Sequence, residues 1–125
     1  MGKVGVGFIG AGFLADMYAR CYREMPNVDL VAVSSKTERH AREFAEKYGL
    51  KAWYTDHEDM LKRSDIEAVN ICVPNYLHAQ MTISSAEHEK HVLCTKPLAI
   101  NMKQADDMVR ACNRAGVKLL SLIHI

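Results

Sequence analysis

The sequence predicts an α/β fold, a doubly wound parallel sheet with helices on both faces. Three observations predict it. Short apolar runs alternate with helical patterns along the whole chain. The connections between them are short. One run, residues 68–73, is almost continuously apolar, as in a strand buried on both faces. The 125 residues are 49% hydrophobic and 25% charged, which suits one domain with its own core. No repeat of solenoid period, low-complexity tract or linker divides them.

The elements follow in order. Val4–Ile9 is an apolar first strand. Phe13, Leu14, Met17, Tyr18, Cys21 and Tyr22 then recur at helical spacing. Pro26-Asn27 breaks the chain before a second strand at residues 30–33. Ala41, Phe44, Ala45 and Tyr48 form a helical stripe, and Gly49 suits a left-handed cap. Ala52–Tyr54 is a short third strand. Thr55-Asp56-His57-Glu58 reads as a capping box for a short helix through Leu61. Residues 68–73 make the fourth strand, and residues 77–88 read as a helix. The fifth strand covers residues 92–94. Asn101 caps a helix carrying Met102, Ala105, Val109 and Cys112, which Gly116 ends. Residues 117–120 begin a sixth strand.

Between the first strand and first helix runs Gly7-Phe8-Ile9-Gly10-Ala11-Gly12-Phe13-Leu14-Ala15. A strand, a glycine turn and a helix start in this order bind the pyrophosphate of a dinucleotide. Gly10 permits the tight turn. Gly12 lets phosphates approach the backbone. Ala15 stands where a third small residue lets the helix sit against the strand. Free N–H groups and the helix dipole then face the anion. Taken alone, Gly-x-Gly-x-x-Ala is a weak signal, and its strand and helix context carries the reading. Phe13 and Leu14 belong to the same cofactor-binding turn.

The end of the second strand, Ser34-Ser35-Lys36-Thr37-Glu38-Arg39, bears on which dinucleotide binds. An acid there bonds the free adenosine ribose 2′-hydroxyl and repels a 2′-phosphate. Here Ser35 occupies that place, with Lys36 and Arg39 beside it. Hydroxyls and cations suit a 2′-phosphate, so NADP is favoured over NAD. The plain alternative for Lys36 and Arg39 is a solvated helix start, which the helix dipole disfavours. Glu38 weighs a little against NADP. The missing acid also argues against a methyltransferase, the other common user of a glycine-rich first turn.

A net charge of +1 points to no nucleic-acid or membrane-surface partner. No apolar stretch is long enough to span a bilayer. The first strand begins almost at once, which leaves no room for a signal peptide. The four cysteines lack Cys-x-x-Cys spacing and read as reduced thiols of a cytoplasmic protein. No histidine pair has metal-ligand spacing. His40, His57 and His88 read as exposed helix residues.

Two later segments complete the pattern. Asn70-Ile71-Cys72-Val73-Pro74-Asn75-Tyr76-Leu77-His78 follows the fourth strand, and Lys90-His91-Val92-Leu93-Cys94-Thr95-Lys96-Pro97-Leu98-Ala99 spans the fifth. With the glycine turn, they resemble the glucose–fructose oxidoreductase / inositol dehydrogenase / rhizopine-catabolism (Gfo/Idh/MocA) family. The likeness runs from Val4 to about Leu119. It implies the N-terminal NAD(P)-binding Rossmann domain of an oxidoreductase acting on a sugar, polyol or related hydroxyl compound. It also implies that Lys96 is the catalytic residue of this half, near the nicotinamide and the reacting oxygen. A surface lysine before a turn proline is the plainer alternative. Asn75 and His78 match positions beside the nicotinamide ribose. Thr95 stands where the family has glutamate, so a contact at the nicotinamide end of the cofactor is expected to weaken or vanish. Glu89 stands where the family commonly has glycine. His91 is implied to be structural.

Family members continue into a second α/β domain with the substrate pocket, a catalytic histidine and the oligomer interface. Residues 1–119 are therefore expected to be the NAD(P)-binding domain, inactive alone, of a protein that forms homo-oligomers. Leu120-Ser121-Leu122-Ile123-His124-Ile125 departs from the family pattern. It matches one reading frame of a transposase-end sequencing adapter and is expected to be non-native, the alternative being a native strand end. A non-catalytic dinucleotide-sensing regulator of the same fold is the competing functional reading.

Overall fold

A computed structural model of the chain describes residues 3–122. Among them are six strands: β1 (Val4–Ile9), β2 (Val28–Ser34), β3 (Ala52–Tyr54), β4 (Ala68–Ile71), β5 (His91–Thr95) and β6 (Leu119–Leu122). They form one sheet in the order β3-β2-β1-β4-β5-β6, with every pair parallel. The helices are α1 (Phe13–Arg23), α2 (Glu38–Tyr48), α3 (His57–Leu61), α4 (His78–Glu87) and α5 (Met102–Ala115). This is the doubly wound parallel sheet that the alternating pattern predicts. The chain steps outward from β1 to β3, crosses to β4 on the other flank of β1, then steps outward again to β6. The β1/β4 junction is thus the topological switch point, where such sheets open a ligand crevice. Because all strands are parallel, every strand exit lies on one edge.

Each face of the sheet has its own core. Phe8 and Val33 meet Ala15 and Ala19 of α1 and Ala41, Phe44, Ala45 and Tyr48 of α2. Ile9, Val69, Ile71, Val92 and Cys94 meet Met60 and Leu61 of α3, Ala79 and Met81 of α4, and Met108 of α5. Burial of one such large aliphatic side chain contributes about 1.5–3 kcal/mol.

Several boundaries and faces differ from the sequence reading. The face α1 buries is Ala15 and Ala19, whereas Phe13 is 79% exposed. Small residues let this helix lie close to the strand below it, and the larger side chains project around its flanks. In α3 the cap is Asp56 in place of Thr55: its Oδ1 accepts from Glu58 N at 2.9 Å. The helix starts at His57, so Asp56 is the residue with extended backbone that faces the free N–H groups. β4 ends at Ile71, after which Cys72 N still donates to Ile9 O at 2.7 Å. Pro74 lacks an N–H, and the chain enters a 3-10 turn (Asn75–Leu77) before α4. The caps at Gly49 (φ 67°) and Gly116 (φ 72°) are left-handed as expected, and Asn101 Oδ1 accepts from Gln104 N at 2.8 Å.

β6 runs across residue 120, pairing with β5 from Leu119 to Leu122. Residues 123–125 of the expected tail, with His124, lie outside the described residues. No helix among the described residues is long and apolar enough to cross a membrane. All four cysteines are free, and no group of metal-ligating side chains occurs among the described residues.

Candidate functional site

A crevice of about 520 Å³ opens at the switch point. Its floor is the exit of β1. Gly10 has φ 105°, and its N–H donates to Ser34 O at 2.8 Å. A Cβ there would come within 2.3 Å of Cys72 O, so only glycine fits. Gly12 caps α1 without a side-chain hydrogen bond, and a Cβ on it would meet nothing within 4 Å. The space before the helix is therefore open, and the helix presents its first N–H groups to it. The one acid of that first turn, Asp16, is tied elsewhere: Lys47 lies at 2.7 Å, Arg20 at 3.1 Å, and the Tyr48 hydroxyl donates to it. These partners, Lys47 and Tyr48 foremost, hold its carboxyl below the ordinary 3.8.

The exit of β2 forms one wall. Ser34 is buried, lines the crevice, and its Oγ has no hydrogen-bond partner. A buried hydroxyl without a partner calls for one, which a water or a ligand can supply. Ser35 and Lys36 also line the crevice. The Ser35 hydroxyl accepts from Thr37 N at 3.3 Å. Arg39 lies outside the lining, with its guanidinium 4.0 Å from Glu43 along α2.

The exit of β3 adds Thr55, Asp56 and His57, which sequence reasoning took only as a helix start. His57 is half-buried, contrary to the expected exposed position, with Glu58 Oε1 3.3 Å from its Nε2. The signal available was its place directly after a strand exit. His88 is likewise half-buried, while His40 is exposed beside Phe13 at a shallow depression next to Gly12. His91 Nδ1 accepts from Lys118 N at 3.0 Å, a structural tie between neighbouring strands.

The exit of β4 supplies Cys72, Val73 and Pro74, followed by Tyr76 and Leu77. Burial pushes the Cys72 thiol up to about 12, so it stays protonated and inert. Asn75 is exposed and outside the lining. His78 is buried, with Nδ1 2.7 Å from Pro97 O and Nε2 3.0 Å from Val73 O. At the exit of β5, Thr95 is buried and its hydroxyl donates to Ile71 O at 3.0 Å. Lys96 is exposed on the same edge as Gly12, and the Lys96–Pro97 peptide is cis. Leu14 sits half-buried in the first turn of α1. The crevice lining thus gathers Gly10, Gly12, Ser35 and Lys36. Phe13, Leu14, Arg39, Asn75, His78, Thr95 and Lys96 are not part of that lining.

Open backbone at Gly12, a forced turn at Gly10 and a neighbouring orphan hydroxyl fit a dinucleotide. Comparison with known proteins agrees. Residues 4–123 match the model of an oxidoreductase family with an NAD-binding Rossmann fold. Myo-inositol 2-dehydrogenase of Thermotoga maritima is 30% identical over 116 residues, 93% of this chain and 35% of that protein. An NADP(+)-dependent scyllo-inositol 2-dehydrogenase of Bacillus subtilis is 33% identical over 112 residues, 90% of this chain and 34% of that one. The crystal structure of a putative NADPH-dependent oxidoreductase from Desulfitobacterium hafniense superposes with a TM-score of 0.92 at 32% identity, covering 97% of this chain and 35% of its own. The chain therefore spans about a third of the length of these relatives. With the fold, the crevice and the match in agreement over nearly its whole length, the chain belongs to the Gfo/Idh/MocA oxidoreductase family, as its NAD-binding Rossmann domain.

Proposed function

We propose that this chain is the cofactor-binding half of an NAD(P)-dependent oxidoreductase whose substrate is a sugar, polyol or related hydroxyl compound. The observation that carries it is the glycine turn at the switch point, where Gly12 faces open space beside the unpartnered Ser34 hydroxyl. The cofactor supplies hydride transfer between its nicotinamide and a carbon bearing a hydroxyl or carbonyl. Gly10 and Gly12 form the pyrophosphate cradle, with Phe13 and Leu14 opening the helix behind it. Ser35, Lys36 and Arg39 hold the adenosine ribose, and their hydroxyl and cations select NADP(H). Arg39 reaches the ribose by leaving its long, exposed contact to Glu43. Asn75 and His78 shape the nicotinamide side. Lys96 polarises the reacting oxygen or holds the hydroxyl for proton removal.

The names of the inositol dehydrogenases and the oxidoreductase of known structure support both the substrate class and the cofactor. In a full-length protein the second domain closes the crevice, supplies the remaining acid/base and joins copies into a homo-oligomer in the cytoplasm. Residues 120–125 are adapter-derived on this reading, which the DNA sequence across those codons tests.

A second reading, a dinucleotide-sensing regulator, rests on Thr95. Its hydroxyl is bonded back to Ile71 O, so no acid stands beside Lys96 from that position. Titration calorimetry with NADPH and NADH tests the cofactor assignment. NADPH is expected to bind at least about tenfold tighter, since a charge-assisted contact is worth more than 1.4 kcal/mol. Ser35→Asp is expected to reverse the order. Tighter binding of NADH by the unaltered chain refutes the preference, and binding of neither refutes the cofactor site.

A further inference from the structure

Three buried side-chain polar atoms lack a hydrogen-bond partner among the described residues: Ser34 Oγ, His57 Nε2 and Thr82 Oγ1. Thr82 belongs to the interior of α4, whereas Ser34 and His57 both line the crevice. Ser34 ends β2 and is 2% exposed. His57 opens α3, directly after the exit of β3. Its neighbours leave the ring short of bonds. Glu58 places Oε1 3.3 Å from His57 Nε2 and Oε2 3.6 Å from His88 Nε2, and makes a hydrogen bond to neither. His57 Nδ1 lies 3.9 Å from Asp56 Oδ1, an oxygen already accepting from Glu58 N. Two polar atoms left unpaired at one crevice call for a common partner from outside the chain.

The sheet order says which part of a dinucleotide that partner is. From the switch point outward the exits run β1, β2, β3 on one side and β4, β5 on the other. With the pyrophosphate at the β1 exit and the adenosine ribose at the β2 exit, the base falls at the β3 exit. The nicotinamide lies on the opposite side. Apolar Ile9, Leu77 and Met81 also line the crevice and suit the faces of a flat ring. A few placed polar groups among apolar walls fix how such a ring sits.

We propose that Ser34 and His57 are specificity-determining residues for the cofactor's base, which they hold by hydrogen bonds from Ser34 Oγ and His57 Nε2 to the adenine edge. The assignment deepens the NAD(P) reading of this crevice and rests on it. Adenine carries an amino donor beside a ring-nitrogen acceptor, and hypoxanthine carries an oxo acceptor beside an N–H donor. The serine hydroxyl turns to suit either, but an imidazole nitrogen keeps one role in a given tautomer. Exchange of the base therefore leaves His57 Nε2 mismatched, and a site built to hydrogen-bond its ligand discriminates against such an analogue.

The test is titration calorimetry with NADPH and with its analogue carrying hypoxanthine in place of adenine. The unaltered chain is expected to favour the adenine form about tenfold, as for one lost hydrogen bond. His57→Phe keeps a ring and removes both nitrogens, and it is expected to bind the two forms about equally. A purely structural role for His57 would weaken both forms alike and leave their ratio unmoved. Ser34→Ala is expected to weaken NADPH about threefold to tenfold with an unchanged or raised Tm, since its hydroxyl has no partner in the free chain to lose. Equal binding of the two forms by the unaltered chain, or a ratio that His57→Phe leaves unmoved, overturns the base assignment while NADPH binding keeps the cofactor site standing. Binding of neither dinucleotide overturns the cofactor site and the base assignment with it. If His57→Phe does not fold, Ser34→Ala decides: an unchanged NADPH affinity overturns the assignment and leaves those atoms to water.

Discussion

Thr95 is held by the strand that carries it, whatever it offers to a ligand. It ends β5 in regular register, and its hydroxyl caps Ile71 O at 3.0 Å. On the proposed function, the chemistry of this half falls to Lys96, which is exposed. In a full-length protein carrying this domain, Lys96→Ala is expected to lower kcat about 100-fold or more, the range for loss of an acid/base group, while cofactor affinity stays within about threefold. Steady-state kinetics with direct cofactor titration measures both, and an unchanged kcat favours the regulator. Glu89 is a different departure. It sits at φ 60°, where a side chain crowds the backbone. Glu89→Gly removes that crowding but loosens the unfolded chain, so the net gain is about 0.5–1 kcal/mol. Thermal melts are expected to rise by about 2–5 °C. A fall in Tm would show that Glu89 makes compensating contacts.

The helices show why periodicity located elements better than it located faces. α2 follows its pattern: Ala41, Phe44, Ala45 and Tyr48 are all buried. α1 buries its alanines most fully, with Tyr18 and Tyr22 partly buried against the same core, while Phe13 and Cys21 of the apolar pattern stay exposed. The two helices are joined by Asp16, bonded to Lys47 and Tyr48 of α2. Because its carboxyl is held below 3.8 in the folded state, this link contributes stability above that pH and loses it as pH falls through the lower folded value. Asp16→Asn is expected to lower the urea midpoint modestly at neutral pH, since Lys47 and Arg20 are more than half exposed. It is also expected to flatten the loss of stability below about pH 4. An unchanged acid slope would show that other carboxylates carry it.

At the scale of the whole molecule, the carboxyl edge is both a binding edge and an open one. Phe13, Tyr76, Ile100 and Met102 are 79%, 62%, 54% and 82% exposed around the strand exits. Dinucleotide binding needs the crevice alone, whereas turnover needs a substrate enclosed against the nicotinamide with an acid/base in reach. The chain is therefore expected to bind NADPH yet produce none from NADP and any polyol, followed by absorbance of the reduced cofactor. Measurable production would overturn the claim that catalysis requires a further domain. The sequence by itself determined the alternation of strands and helices, the parallel doubly wound sheet, the glycine turn and both glycine caps. Each of these is written in neighbouring residues: periods of two and 3.6, small residues at tight turns, side chains bonded within a few positions. Only the tertiary structure decided that Ser34 is left without a partner, that His57 walls the crevice, and that His78 lies inside, bonded across 19 residues to Pro97. Those outcomes depend on which strand exits the sheet order brings together. A side chain's partners are set by neighbours far away in the chain, and local spacing carries no record of them.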